Sequence, residues 1–425
     1  MSMGTISKKA EKFRRKISPV RQIMSHADPE YIQKLGINPK DLISMAGGWV
    51  NHKAPEQLRK SYEMIVSDSE LFHESGKYSP TLGDIEFKKA VCNLEKELYQ
   101  MEISEQQIAI GSGSTQLAMN LFTVLLDPGD KIMLLDPSYC NYPTQIITDL
   151  PDVEILRFSV IDEKKWEYVA DEKIEEISRY ILENKPKIVL LVSPDNPTSK
   201  VLSDEFVQAT IDAVKEIGGF VVVDFAYKEL VFSDNLPSYF SWAPDENFIS
   251  IRSNSKWCRS LGRRIGWIEA PEFVVEGMES IQSSTLLCPD TLHQMALTKF
   301  INESIENNIL KNYVNETRKM YKETAEKTVE ILKRYLNFPV IVPDGGLYVW
   351  INVDADATKF VEDTLKKTGV LFVPGWGFGR SGRKAIRLSY GPLVEDANKI
   401  EEGIQRVSKH LKEIISDTQG VTIEH

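Results

Sequence analysis

Through the middle of the chain, short apolar runs alternate with longer stretches in which apolar residues recur at helical spacing. The runs at residues 131–135, 153–158, 188–192, 220–223 and 248–251 are four to six residues long and rich in Val, Ile, Leu and Phe. Most have no polar alternation, which predicts strands covered on both faces, as in a parallel sheet with crossover helices. Residues 117–126 form an almost wholly apolar stretch of helical length. From about 301 to 335 the chain is charged and helix-like, and it leads to further strand candidates at 340–342, 347–351, 370–373 and 385–389. The pattern predicts an α/β protein with a large domain, a mostly parallel sheet sandwiched by helices, and a smaller α+β domain. The expected division is an N-terminal segment 1–45 packing with the small domain, a large domain 46–300 and a C-terminal small domain 301–425. A length of 425 residues fits two domains better than one, since a single core stops growing before that size.

Composition narrows the function. With 42% hydrophobic and 27% charged residues the chain has an ordinary globular balance, and no fixed-period repeat is present. A net charge of -11 argues against nucleic acid, whose phosphates need a basic face. Cys92, Cys140, Cys258 and Cys288 form no Cys-x-x-Cys pair, which suggests neither a metal site nor a disulfide framework and fits a cytoplasmic location. No apolar run reaches the roughly 18 residues of a membrane span, and the start of the chain lacks the apolar core of a signal peptide. Lys8, Lys9, Lys12, Arg14, Arg15 and Lys16 would also suit an organelle transit peptide, against which stand Glu11 and the scarcity of serine.

Chemistry-bearing residues recur just past the carboxyl ends of three predicted strands: Asn196, Asp224 and Lys256. Open α/β sheets place ligands there. Lys256 stands in Ser253-Asn254-Ser255-Lys256, followed by Gly262, Arg264, Gly266 and Trp267. A lysine amine becomes a useful nucleophile by forming a Schiff base with a carbonyl, and pyridoxal 5'-phosphate is the cofactor suited to that partnership. Ser253, Ser255 and Arg264 supply hydroxyl and guanidinium donors that match a phosphate monoester.

Other motifs have two readings each. Gly111-Ser112-Gly113-Ser114-Thr115-Gln116 opens the apolar helix, where free N–H groups and the helix dipole favour an anion; a plain N-cap would look the same. Asn196, before Pro197, can present its amide to a cofactor oxygen or a substrate carboxylate, or simply mark a turn. Asp224 can hold a proton on a pyridine nitrogen while Tyr227, three residues on, reaches the ring oxygen; an N-cap aspartate is the alternative. Tyr139 can stack on a heteroaromatic ring or belong to the core. Arg387 is a cation inside an apolar strand pattern, suited to a carboxylate or to an internal salt bridge.

Taken together and in this order, Gly113 to Thr115, Asn196-Pro197, Asp224-Phe225-Ala226-Tyr227, Lys256, Arg264 and Arg387 make the chain resemble the fold type I pyridoxal-phosphate enzymes of the class I/II aminotransferases, from about residue 43 to 390. The resemblance implies that Lys256 forms the Schiff base and shuttles the proton, Asp224 pairs with the pyridine nitrogen, and Asn196 and Tyr227 hold the ring oxygen. It implies that Ser114, Thr115, Ser253, Ser255 and Arg264 hold the phosphate, that Tyr139 stacks on the ring and that Arg387 takes the substrate α-carboxylate. Tyr78, in Lys77-Tyr78-Ser79-Pro80, matches a tyrosine that reaches the phosphate from the neighbouring subunit, so a homodimer with shared active sites is implied. Gly345-Gly346 and Pro374-Gly375 match the family's small domain.

Two departures fall near the expected substrate mouth. Ser199 follows Asn196-Pro197-Thr198 where glycine is usual, and Trp49 follows Gly47-Gly48 where proline is frequent. Gly48 and Trp49 are therefore candidate substrate contacts. A dicarboxylic substrate would need a second cation, for which Arg21 and Arg263 are candidates; an aromatic one would need a flat wall such as Trp49 or Tyr78 offers. The expected reaction is amino transfer between an L-amino acid and a 2-oxo acid. The same cofactor chemistry also serves elimination, decarboxylation or oxidation, and a non-catalytic cofactor-binding regulator is the reading from another class.

Overall fold

The computed structural model describes residues 5–15 and 28–420; side chains are described for 5–11 and 28–414. Lys16 and Arg21 lie outside the described residues, as do the side chains of Lys12, Arg14 and Arg15.

Seven strands form the main sheet: β1 (Ile108–Gly111), β2 (Lys131–Asp136), β3 (Glu154–Ser159), β4 (Ile188–Val192), β5 (Phe220–Asp224), β6 (Phe248–Ser253) and β7 (Gly266–Glu269). Their order is β1-β7-β6-β5-β4-β2-β3. β2 to β6 are mutually parallel, and β7 runs antiparallel to both β6 and β1. The uninterrupted apolar runs divide by parity. Met133, Leu135, Val189, Leu191, Val221 and Val223 enter one buried cluster, while Ile132, Leu134, Ile188, Leu190 and Val222 enter another. That is the two-sided burial the apolar runs predict.

A second sheet of β8 (Val340–Ile341), β9 (Tyr348–Asn352), β10 (Val373–Pro374) and β11 (Ala385–Ser389) has the antiparallel order β8-β9-β11-β10. Its core is a separate cluster that includes Trp350, Ile386 and Leu388. Residues 370–373, read from sequence as one strand, divide at Phe372: Val370–Leu371 pairs in parallel with Ile43–Ser44, and Val373–Pro374 pairs with β11. The N-terminal segment thereby reaches the second sheet, where Met45 O accepts from Ser389 N at 2.7 Å.

The helical stretch expected over 301–335 is two helices, Thr291–Glu306 and Ile309–Tyr335. They are separated at Asn307 and Asn308, the latter in a left-handed conformation with φ 56°. Thr291–Glu306 thus runs through the expected domain change at 300/301 and packs on Glu56–Ser67 and Ile85–Tyr99.

Candidate active site

The carboxyl ends of β4, β5 and β6 converge on a cavity of about 250 Å³. It is lined by Gly48, Trp49, Ser114, Thr115, Tyr139, Asn196, Asp224, Tyr227, Ser253, Ser255, Lys256, Arg264 and Arg387, so thirteen separately chosen sequence positions meet in one place. Strand geometry accounts for three of them. Asp224 closes β5 and Ser253 closes β6, while Asn196 follows β4 in the turn that begins at Ser193.

Lys256 is half-buried, and its Nζ donates to Gly48 O and lies 5.6 Å from the centre of the Tyr227 ring. Burial, then the positive charges of Arg387 and Arg264, lower its pKa to about 8, against an opposing pull from Asp224. The amine is thereby brought toward neutral pH in its proton-accepting form. Asp224 is buried and accepts from Tyr142 Oη and from Ala226 N at 2.9 Å. Burial raises its pKa despite those two donors.

Arg387 lies on β11 beneath the same cavity. Nη1 donates to Asn196 Oδ1 at 2.8 Å and Nη2 to Ala46 O at 2.9 Å, while Nε is buried without a partner. The guanidinium lies 4.2 Å from the Tyr348 ring centre and 5.0 Å from that of Phe378. The Asn196 contact and the aromatic plates hold the fork in place without a carboxylate, so the internal salt bridge weighed for this residue is absent among the described residues.

The corner expected to hold an anion rests on the helix Ser114–Leu125, whose N-cap, Gly113, has φ 81° and supplies no side-chain cap. A Cβ there would stand 2.4 Å from Arg264 Nη2, so glycine lets the guanidinium cross the helix start. Gly113 therefore shapes the corner rather than lining it. Arg264 Nη1 donates to Leu261 O at 2.7 Å, and Ser253 Oγ donates to Ser255 Oγ at 2.8 Å.

Tyr78, expected to act on a neighbouring subunit's site, is 82% exposed and does not line this chain's own cavity. Two expectations need correction. Arg263 is exposed, lies 5.3 Å from the Tyr62 ring centre and contributes no cation to the cavity. Ser199 is fully buried behind the mouth, where its Oγ accepts from Tyr348 N at 3.0 Å.

Sequence reasoning missed Tyr142, Tyr348 and Cys140, of which the last two also line the cavity. Tyr142 stands three residues after Tyr139, at the start of the helix Asn141–Asp149, a signal that could have found it. Tyr348 ends the Gly345-Gly346-Leu347-Tyr348 motif but reaches the site only through sheet pairing. Also unforeseen is a buried charge cluster behind the site. Arg252 Nε and Nη2 donate to Glu95 at 2.8 and 2.5 Å, Nη2 donates to Glu229 at 2.8 Å, and Lys228 Nζ donates to Glu95 at 3.1 Å.

The family model for aminotransferases of class I and II matches residues 46–407. The chain belongs to this family and is an aminotransferase. It is 28% identical over 381 residues to an aspartate aminotransferase of Thermotoga maritima, covering 89% of this chain and 95% of that protein. It is also 28% identical over 400 residues to aromatic-amino-acid aminotransferase 2 of Thermococcus litoralis, covering 91% and 96%. In fold it matches the aspartate aminotransferase of Thermus thermophilus solved with maleate, with a TM-score of 0.81 over 95% of this chain and 100% of that one, at 24% identity.

Proposed function

We propose that the chain moves an amino group between an L-amino acid and a 2-oxo acid, with pyridoxal 5'-phosphate held at Lys256. The observation that carries this reading is the meeting of a lysine amine, a buried carboxylate and a carboxylate-binding guanidinium in one cavity, as Lys256, Asp224 and Arg387. The donor set fits the cofactor. The uncapped start of Ser114–Leu125, the hydroxyls of Ser114, Thr115, Ser253 and Ser255, and Arg264 suit its phosphate. The Asp224 carboxylate suits a protonated ring nitrogen, Asn196 and Tyr227 suit the ring oxygen, and Tyr139 suits the ring face.

When bound, the group supplies an aldehyde that condenses with amines and a ring that takes up the electrons left when a Cα–H bond breaks. Asp224, held by Tyr142 and Ala226 N, keeps a negative charge facing that ring. Arg387 orients the substrate by its α-carboxylate, its side chain lining the cavity with no acidic partner among the described residues. Lys256 Nζ, its basicity reduced by burial, takes the Cα proton and returns it. Gly48 O is its acceptor in the resting chain. Gly48 and Trp49 form the substrate side of the cavity wall.

A homodimer with shared sites is part of the proposal. Tyr78 is exposed on a segment that also exposes the apolar side chains Met64, Val66, Leu71, Phe72 and Ile85, which a second copy could cover while Tyr78 reached its phosphate. The four cysteines are free, which suits a cytoplasmic setting.

The test is an absorbance spectrum of the cofactor-loaded protein during addition of single amino acids without acceptor. A visible band that bleaches with one amino acid and returns with a 2-oxo acid identifies the donor. Steady ammonia release with the band retained would instead assign a lyase. Lys256→Ala should fold and show no turnover; substantial activity in that variant would sink the assignment.

A further inference from the structure

We infer that Tyr348 is a positioning residue for the reaction: its hydroxyl donates to Tyr227 Oη and so directs the Tyr227 proton toward the cofactor's ring oxygen. This rests on the proposed cofactor reading. The two phenol oxygens are 2.6 Å apart, a short contact between neutral groups, and their rings meet edge to face with centres 5.8 Å apart. Both residues are buried and both line the cavity. Each phenol has a single proton. If Tyr227 gives its own forward to the ring oxygen, the proton in the 2.6 Å contact belongs to Tyr348. A hydroxyl that accepts one hydrogen bond becomes a stronger donor of the next.

The fold holds Tyr348 for this task from three sides. Its backbone N–H is fixed by Ser199 Oγ at 3.0 Å. Its ring lies beneath Arg387, 4.2 Å from the guanidinium. Its hydroxyl approaches the Gly48 backbone, where a Cβ would stand 2.7 Å away. The same side chain therefore touches the group proposed to bind the α-carboxylate and the group proposed to bind the ring oxygen. Burial raises the pKa of both phenols, so both carry their protons at working pH. The other titratable or charged groups around the pair are Arg387, Lys256, Tyr139, Cys140 and Asp195.

The test is a pH titration of the visible band in cofactor-loaded enzyme without substrate. The titrating proton lies between Lys256 Nζ and the ring oxygen, and a donor aimed at that oxygen lowers its midpoint. Tyr348→Phe keeps the ring under Arg387 and removes only the donor. The expected result is a midpoint raised by about half a unit to one unit, the worth of one ordinary hydrogen bond. Tyr227→Phe should raise it at least as far, and the double variant no further than Tyr227→Phe alone. The KM for the amino acid should change little in Tyr348→Phe. An unmoved midpoint in folded Tyr348→Phe, or shifts that add in full in the double variant, would overturn the inference while leaving the cofactor reading in place. Absence of the band from the wild-type protein would remove both.

Discussion

Arg387 and Asn196, 191 positions apart, are joined through Nη1 and Oδ1 at 2.8 Å. The contact ties the second sheet to the loop after β4 and holds the guanidinium with no acidic partner among the described residues. Replacing Arg387 by glutamine should raise the KM for amino and 2-oxo acids together by roughly a hundredfold or more, the usual cost of truncating one side of a buried charge pair. The visible band should be retained. Steady-state kinetics on both half-reactions would decide it, and an unchanged KM for either partner would place the α-carboxylate elsewhere.

What could be read in the sequence follows from where the information is local. β4 coincides with the expected 188–192 because it is a continuous apolar run between Pro186 and Ser193-Pro194, and β11 with the expected 385–389 because Gly391-Pro392 closes an apolar pattern that Arg387 interrupts only once before Ser389. Gly266–Glu269 was hidden inside a string read for its chemistry, and Ile108–Gly111 is short. The split at Phe372 depends on pairing partners more than 300 residues and 12 to 14 residues away in turn, which no local pattern encodes. Several motif residues found the cavity because they close or directly follow strands, whereas Arg387 lies in the middle of β11. Tyr348 enters it through sheet pairing and Tyr142 reaches Asp224 without lining it, while the role proposed for Tyr78 needs a second chain.

Ser199 occupies a left-handed conformation, φ 59°, where glycine would be unstrained. The strain of roughly 1 kcal/mol is offset because Ser199 Oγ accepts the buried Tyr348 N–H. Ser199→Gly relieves the strain but leaves that donor unpaired at about 1–3 kcal/mol, so a net loss of about 1 kcal/mol is expected. Ser199→Ala keeps the strain and loses the acceptor, so it should be the less stable of the two. Chemical denaturation gives the order, and a Ser199→Gly protein more stable than wild type would refute it.

His52 is buried between Tyr321 Oη, 2.9 Å from Nδ1, and Trp257 O, 3.1 Å from Nε2. A carbonyl only accepts, so Nε2 carries the hydrogen and Nδ1 takes the tyrosine's. Burial lowers its pKa from 6.5 to about 4, helped by Arg259 and opposed by the Trp257 contact. The unfolded chain binds a proton that the folded protein refuses. His52's contribution is therefore complete above pH 6.5 and is lost as pH falls toward 4. The stability advantage of wild type over His52→Gln should shrink by about 1.4 kcal/mol per pH unit across that window. Denaturation of both proteins at about pH 8 and about pH 5 tests this, and a constant difference would mean the site is not held neutral.

Glu95 is fully buried and accepts from Arg252 and Lys228. Burial works to raise its pKa, but the two cations outweigh burial and lower it. Glu269, 3.7 Å from Arg252 Nε, is pushed up to about 7 by burial and by repulsion from Glu95. Arg252 and Lys228 share Glu95 as their common acceptor. Glu95→Leu would leave both buried cations without it, at about 3–5 kcal/mol. Arg252 directly precedes Ser253, and Lys228 directly follows Tyr227, so the loss should also loosen cofactor retention. The further substitution Arg252→Leu removes one of the two stranded cations and should restore part of the stability. A double-mutant cycle followed by denaturation separates the cases: strong coupling between the two positions is expected, and additive losses would show that Glu95 stabilises by packing rather than by charge.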